Sequence, residues 1–322
     1  MKKVIPLLIL VLLVLSACSS NSSNQPAKSS GGAPSSPSAS ASSPASPEAS
    51  QKSGTITYQS ESGPVEVPAD PKRVVVLSSY TGNVMSLGVP LVGVDSWSKM
   101  NPEFQDKLKD AQEVSDENLE KIIELDPDLI IGLSNIKNID KLKEIAPTVT
   151  YTYGKVDYLT QHLEIGKLLN KEKEAQAWVD DFKQRAQQAG EEIKAKIGEN
   201  ATVSVIENFD KQLYVFGDNW GRGTEILYRE MKLKMPQKVK DMALKDGYYA
   251  LSLEVLPEYA GDYLIFSKNG DADNSFQKTD TYKNIPAVKN NHVYEADAKA
   301  FYFNDPLTLE YQLAFFKKHF LG

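Results

Sequence analysis

Among 322 residues there is one cysteine, Cys18, and there are three histidines. A lone cysteine excludes a disulfide framework within the chain. His162, His292 and His319 show no paired ligand spacing, so a histidine metal site is a poor reading. His162 falls in a long helical stretch and reads as a surface or capping residue. There is no Gly-x-Ser-x-Gly elbow, no phosphate loop and no cysteine placed as a nucleophile. No run of Lys and Arg occurs, and the formal net charge is −7. Nucleic acid and anionic lipid headgroups are therefore poor partners. Beyond the first residues no hydrophobic stretch reaches membrane-spanning length. If the protein helps to move something through a membrane, other subunits must form the path.

What is present begins with Lys2 and Lys3, an apolar run from Val4 to Leu15, and then small residues. That is the three-part pattern of a secretory signal. Leu15-Ser16-Ala17-Cys18 resembles the bacterial lipobox, in which the cysteine thiol receives a diacylglycerol and becomes the mature N-terminus. The expectation is a lipoprotein signal peptide over 1–17, lipidation at Cys18, and a protein held on the outer face of the cytoplasmic membrane. A signal-anchor helix is the alternative. Residues 18–54 are nearly all Ser, Pro, Ala, Gly and Asn and cannot bury a core, so they read as a disordered tether. A flexible coil of about 35 residues reaches roughly 30 Å.

From 55 onward the sequence is globular and long enough for two lobes. Arg73–Leu77 is an apolar run that reads as a buried parallel strand, closed by Ser78-Ser79. Leu91–Val94, Asp126–Gly132 and Thr148–Tyr151 follow as strands, with helices over Thr81–Leu87 and Asn118–Leu125. Alternating strands and helices predict an α/β lobe over 55–157. Residues 158–198 contain no proline and carry apolar residues at helical spacing. They predict one or two long helices, broken or capped near Gly166, Gly190 and Asn170-Lys171-Glu172. The α/β pattern then resumes over 199–322, with strands at Thr202–Ile206, Gln212–Phe216, Asp262–Ser267 and His292–Glu295. Thr224–Met231 and Pro306–Leu321 read as helices. The predicted fold class is α/β, with two Rossmann-like lobes joined by a long interlobe helix and a ligand cleft between them.

Several segments carry a family resemblance. They are Pro71–Leu77, Asn118–Ile122 with Leu125–Ile130, Ile285–Val288, and the Val293-Tyr294 strand. Together they resemble the substrate-binding lipoproteins of bacterial ABC importers whose lobes are joined by a long helix. Tyr214–Gly223, with its Trp220-Gly221-Arg222-Gly223 core, is similar to the ferric-hydroxamate siderophore-binding lipoproteins of Gram-positive bacteria. The resemblance implies a monomer that captures an Fe(III)-siderophore and delivers it to an ABC permease and its ATPase. It implies no catalysis and no directly bound cofactor. A tris-hydroxamate already encloses its iron, so the pocket needs aromatic surface, one or two donors and little charge.

The candidate ligand-binding residues are Trp220, Arg222, Tyr214, Tyr153, Tyr302, Tyr80 and Trp97. Arg222 offers a forked hydrogen bond to hydroxamate oxygens, and Lys155 could add a second cation. Five of them have a plainer alternative. Trp220 could be a core residue at a turn. Either Tyr214 or Phe216 should be core, since they alternate on one strand, and Phe303 competes with Tyr302. Tyr80 and Trp97 could simply cover the lobe surface. Glu120 and Glu254 each read as opening a helix, where a carboxylate favours the helix dipole. The resemblance adds a permease-docking role for this pair, one residue per lobe. Ferric catecholate, haem and cobalamin remain alternative ligands, haem needing an axial Tyr, His or Met. A lipid-anchored enzyme lacks a catalytic constellation, and a structural adhesin lacks repeats.

Overall fold

The computed structural model describes residues 54–322. The expected signal peptide, Cys18 and the tether up to residue 53 lie outside the described residues. The described chain opens with an antiparallel hairpin of β1 (Thr55–Ser60) and β2 (Gly63–Pro68). Five parallel strands follow: β3 (Val74–Leu77), β4 (Leu91–Val94), β5 (Gln112–Glu113), β6 (Leu129–Leu133) and β7 (Thr148–Tyr151). Their order is β5-β4-β3-β6-β7. The central β3 is buried along its whole length, which is why it reads as an unbroken apolar run.

The second sheet has the order β10-β9-β8-β11-β12. It comprises β8 (Val203–Phe209), β9 (Gln212–Phe216), β10 (Tyr248–Leu251), β11 (Tyr263–Lys268) and β12 (Val293–Asp297). Strands β8, β11 and β12 run parallel, whereas β9 and β10 are antiparallel additions. The second lobe is thus not a plain repeat of the first. Asp210 and Lys211, at φ 47° and 66°, form a two-residue turn that makes β8 and β9 a hairpin. Neither β5 nor β10 is predicted from sequence, because the one is two residues long and the other half-exposed.

Between the sheets lie two helices, Tyr158–Leu168 and Glu172–Ile197. Asn170 separates them in a left-handed conformation at φ 55°. Gly190 does not break the second helix. Its missing side chain lets the helix press against Met231, whose carbonyl oxygen would lie 2.2 Å from a Cβ there. The closing helix Pro306–Leu321 matches its predicted bounds. It is fastened to the long helix where Arg185 and the Trp178 indole both donate to Glu310.

His162 is not on the surface. It is 1% exposed, wedged between Asn83 of the first-lobe helix Thr81–Ser86 and the ring of Trp178 on the long helix. Burial pushes its imidazole down to about 4. The apolar spacing of the segment places this position inward, so the histidine takes a core site despite its polarity.

The long helix is not the only crossing between the lobes. Phe303 and Leu307 pack with Val94, Phe104, Leu108 and Ala111 of the first lobe. Asp305, which caps the closing helix, sits directly over Gly82. The chain that follows β12 therefore returns to the first lobe before its final helix.

Candidate functional site

The carboxyl ends of the first-lobe strands and the loops of the second lobe enclose a cavity of about 570 Å³. That is an ordinary size for a small-molecule site. Six of the seven predicted residues line it: Trp97, Tyr153, Tyr214, Trp220, Arg222 and Tyr302. The walls already touch. Trp97 meets Tyr302 edge-on at 5.4 Å, and Tyr153 lies over Trp220 at 5.8 Å. Each pair joins one residue from each lobe. Trp97, Tyr153 and Trp220 are each about two-fifths exposed, so they are cleft walls and not core.

The Trp-Gly-Arg-Gly segment has a definite backbone. Gly221, Arg222 and Gly223 lie at φ 67°, 59° and 80°, three left-handed residues in succession. Glycine is needed on either side of the arginine for a second reason. A Cβ at position 221 would lie 2.3 Å from the Tyr302 carbonyl oxygen, and one at 223 would lie 2.6 Å from the Phe316 ring. Arg222 bears the left-handed conformation without that help, as strained residues at functional sites often do. Its amide donates to the Phe301 carbonyl at 2.6 Å. Ser78 and Ser79, also cavity-lining, repeat the feature at the end of β3 with φ 90° and 65°.

The Arg222 guanidinium is held on three sides. Its Nε donates to Glu207 at 2.7 Å and its Nη1 to the Trp220 carbonyl at 2.9 Å. Its carbon stands 4.8 Å from the centre of the Phe216 ring and 4.7 Å from that of Tyr302. The aromatic sandwich and the buried carboxylate leave Nη2 without a hydrogen-bond partner among the described residues. Burial, then the neighbouring Glu207 carboxylate, raises the Tyr302 phenol, so it stays a neutral hydroxyl.

Two expectations are corrected. Tyr80 is absent from the cavity wall. It is 4% exposed, packed edge-on against Tyr151 at 5.4 Å, because the left-handed Ser78-Ser79 turn carries the chain inward before the helix begins. Lys155 is no second cation for the cavity. It pairs with Glu61 at 3.2 Å, away from the main wall. Of the Tyr214/Phe216 pair, Phe216 is the core member, 4% exposed, although its ring also borders the cavity beside Tyr214; both Tyr302 and Phe303 line the cavity.

The residues not foreseen are Phe209, Tyr248, Leu133, Asn135 and Asn304. Tyr248 stands edge-on to Trp220 at 5.2 Å and to Tyr214 at 5.8 Å. The signal that could have found it is Gly247-Tyr248-Tyr249: a glycine turn delivering aromatics beside a strand already assigned to the site.

Glu120 and Glu254 are both exposed and lie outside the cavity. Glu120 is in the first turn of the helix Leu119–Glu124, capped by Asn118. Glu254 does not open a helix. It sits in a turn ahead of Leu256–Tyr259, where the Ser252 hydroxyl and a backbone N–H hold its carboxyl below the usual range.

A family model described as periplasmic binding protein matches residues 74–300. The iron(3+)-hydroxamate-binding protein FhuD of Bacillus subtilis is 37% identical over 273 residues, covering 83% of this chain and 86% of that protein. The solved FhuD protein of S. pseudintermedius is 36% identical, with a TM-score of 0.76, over 84% of this chain and 99% of its own. FhuD2 of Staphylococcus aureus, solved with bound ferrioxamine B, is 36% identical with a TM-score of 0.75, over 78% of this chain and 98% of its own.

Proposed function

This chain belongs to the periplasmic binding protein family, and from that premise we propose that it captures an Fe(III)-hydroxamate siderophore and delivers it to an ABC-type permease. One observation carries the choice of ligand. Arg222 is the only charged side chain lining the main cavity among the described residues, and Glu207, fully buried, already balances it. The rest of the wall is aromatic, aliphatic, amide or hydroxyl. An Fe(III) tris-hydroxamate is near neutral, its metal is saturated by its own oxygens, and its exterior combines apolar chain with acceptor oxygens. Trp220, Tyr248, Tyr214 and Trp97 supply faces for the chain, and the free Nη2 of Arg222 supplies a donor for the oxygens. A trianionic catecholate or a citrate complex would need several unpaired cations converging on one spot. The protein's part is to bind and release, with the iron chemistry left to the siderophore.

Delivery calls for a surface that the permease can read without disturbing the cleft. Glu120 and Glu254, exposed on different lobes, suit that task. Beside Glu120, the exposed Ile123 and Leu119 line a shallow groove with Lys141 and Glu144. Lipidation of Cys18 would keep the carrier on the outer face of the cytoplasmic membrane, within reach of the permease.

Two tryptophans in the cavity wall make the test direct. Titration with ferric hydroxamates should quench intrinsic fluorescence at low ligand concentration, and ferric catecholates, ferric citrate and cobalamin should not. Haemin is followed by its Soret band. Quenching by the anionic complexes with none by hydroxamates would overturn the proposal.

A further inference from the structure

The carboxylate behind Arg222 stands in an expensive place. Glu207 lies on β8, the middle strand of the second sheet, between Tyr214 of β9 and Ser267 of β11. Its side chain is 0% exposed, and that of Arg222 is 13% exposed. A carboxylate ionised so deep is costly unless its charge is matched. The ion pairs Arg229–Asp218 and Arg185–Glu310 are partly exposed by comparison and carry little of that cost.

Holding Arg222 in position does not call for a charge at 207. The Arg222 amide donates to the Phe301 carbonyl, and Nη1 donates to the Trp220 carbonyl. The rings of Phe216 and Tyr302 enclose the guanidinium. The turn itself is tied down by the Gly221 amide on Glu225 and by the Thr224 amide and hydroxyl on the Gly221 carbonyl. A glutamine oxygen at 207 would accept from Nε as well as a carboxylate does, at a far lower cost of burial. What glutamine would not do is cancel the positive charge. Among the described residues no acid lines the main cavity. Without Glu207 the Arg222 charge would meet the ligand with no counter-charge in contact with it.

We propose that Glu207 sets the charge specificity of this site. It is a positioning residue, out of reach of the ligand, whose negative charge cancels that of Arg222. The cavity is thereby turned from one that gathers anionic ferric complexes into one that takes neutral ones. The inference rests on the ferric-hydroxamate reading of the main cavity. A lone guanidinium between aromatic walls would draw an anionic chelate strongly, because charges interact far more strongly there than in water. Paired with Glu207 at 2.7 Å, it acts on the ligand as a hydrogen-bond donor with no net charge behind it.

Two ferric complexes built on one tripodal backbone make the test. One has three hydroxamate arms and no net charge at the metal. The other has a catecholate in place of one arm, and so one unit of negative charge. Fluorescence titration gives the ratio of their affinities. The parent should favour the neutral complex by roughly tenfold, because the anionic one loses hydration and gains no counter-charge. Glu207→Gln keeps the shape and the acceptor but uncovers the guanidinium. It should move the ratio by about tenfold or more towards the anionic complex. Glu207→Asp keeps the charge and should hold the ratio within about threefold of the parent's. A role in shape alone would weaken both complexes together and leave the ratio where it was. Equal affinity of the parent for the two complexes would overturn the proposal while leaving the ferric-hydroxamate reading in place. So would an unchanged ratio in Glu207→Gln, or a ratio in Glu207→Asp that moves as far as glutamine's. Binding of neither complex by the parent would overturn that reading and the proposal with it.

Discussion

Replacing Arg222 with alanine should damage the free protein as well as binding, and the two effects can be separated. Glu207 is fully buried, and among the described residues its one ion-pair partner is the Arg222 Nε at 2.7 Å. Removing the guanidinium leaves a buried carboxylate without a counter-charge. Breaking one side of such a pair costs about 3–5 kcal/mol. For a body of this size that corresponds to a fall in Tm of roughly 10 °C. The ligand loses a charge-assisted hydrogen bond worth about 1.5–3 kcal/mol, or about one to two orders of magnitude in Kd. A double variant, Arg222→Met with Glu207→Leu, removes both charges and keeps apolar volume between Phe216 and Tyr302. Its Tm should return close to the parent's, and its affinity for a ferric hydroxamate should stay low. Differential scanning calorimetry without ligand and fluorescence titration with ligand read the two quantities. Should Arg222→Ala melt with the parent, the ion pair is not what sustains the buried carboxylate. Should the double variant regain affinity along with Tm, Arg222 does not touch the ligand and only props the wall.

His162 should stay neutral far below the ordinary 6.5, and its NMR signal should not titrate until about pH 4. Between those values the unfolded chain takes up a proton that the folded one refuses, so this site lowers stability as pH falls, by about 1.4 kcal/mol per unit. Asp305, raised by burial to about 6, works the other way and adds stability as pH falls towards its ordinary 3.8. The resonance of His162 is therefore the clean readout, and titration near 6.5 would contradict its burial. Reversing Glu120 and Glu254 to lysine should leave siderophore affinity unchanged and abolish uptake by cells; equal loss of both would make the pair structural. Cys18→Ala should release the protein or leave an unprocessed precursor, whereas normal localisation with acyl label would refute the anchor. Small-angle scattering of free and loaded protein should differ little, and a large compaction would contradict a doubly bridged hinge.

The parts of the fold legible from sequence are those governed by local periodicity. Leu91–Val94, Thr148–Tyr151, Gln212–Phe216 and Pro306–Leu321 match their predicted bounds, because apolar runs and a proline start are local signals. The antiparallel direction of β9 was not legible, and neither was β10. The pairing of Gln212 with Phe209 depends on a two-residue turn through Asp210-Lys211, which lacks the usual glycine, and Tyr248 pairs with Phe216 only across a long gap in sequence. Among site residues, aromatics at strand ends were readable, since carboxyl ends of strands face the cleft. Tyr80 satisfies the same rule and fails it in space, because two left-handed serines turn it inward. The Arg222–Glu207 pair was out of reach for a different reason. Glu207 lies just past the run Val203–Ile206, one residue beyond the predicted strand, and only the approach of a loop from fifteen residues on explains why a carboxylate is buried there.

The second crossing changes what the cleft can do. A hinge made of one helix could bend at a single point, such as Asn170 between the two helices. Here Phe303, Asn304 and Asp305 belong to the returning segment, and each has a part at the lobe boundary. Phe303 is inserted beside Phe104, Asn304 binds Glu225 at 2.9 Å, and Asp305 lies over Gly82. Phe303 and Asn304 also line the cavity, and Tyr302 beside them stacks on Arg222. Opening the lobes widely would therefore pull apart the back wall of the binding site itself. The economical route for a ligand is through the aromatic contacts at the mouth, Tyr153–Trp220 and Trp97–Tyr302, whose half-exposed rings can turn aside without moving either sheet. A cavity built this way is formed before the ligand arrives, so little binding energy is spent on ordering it.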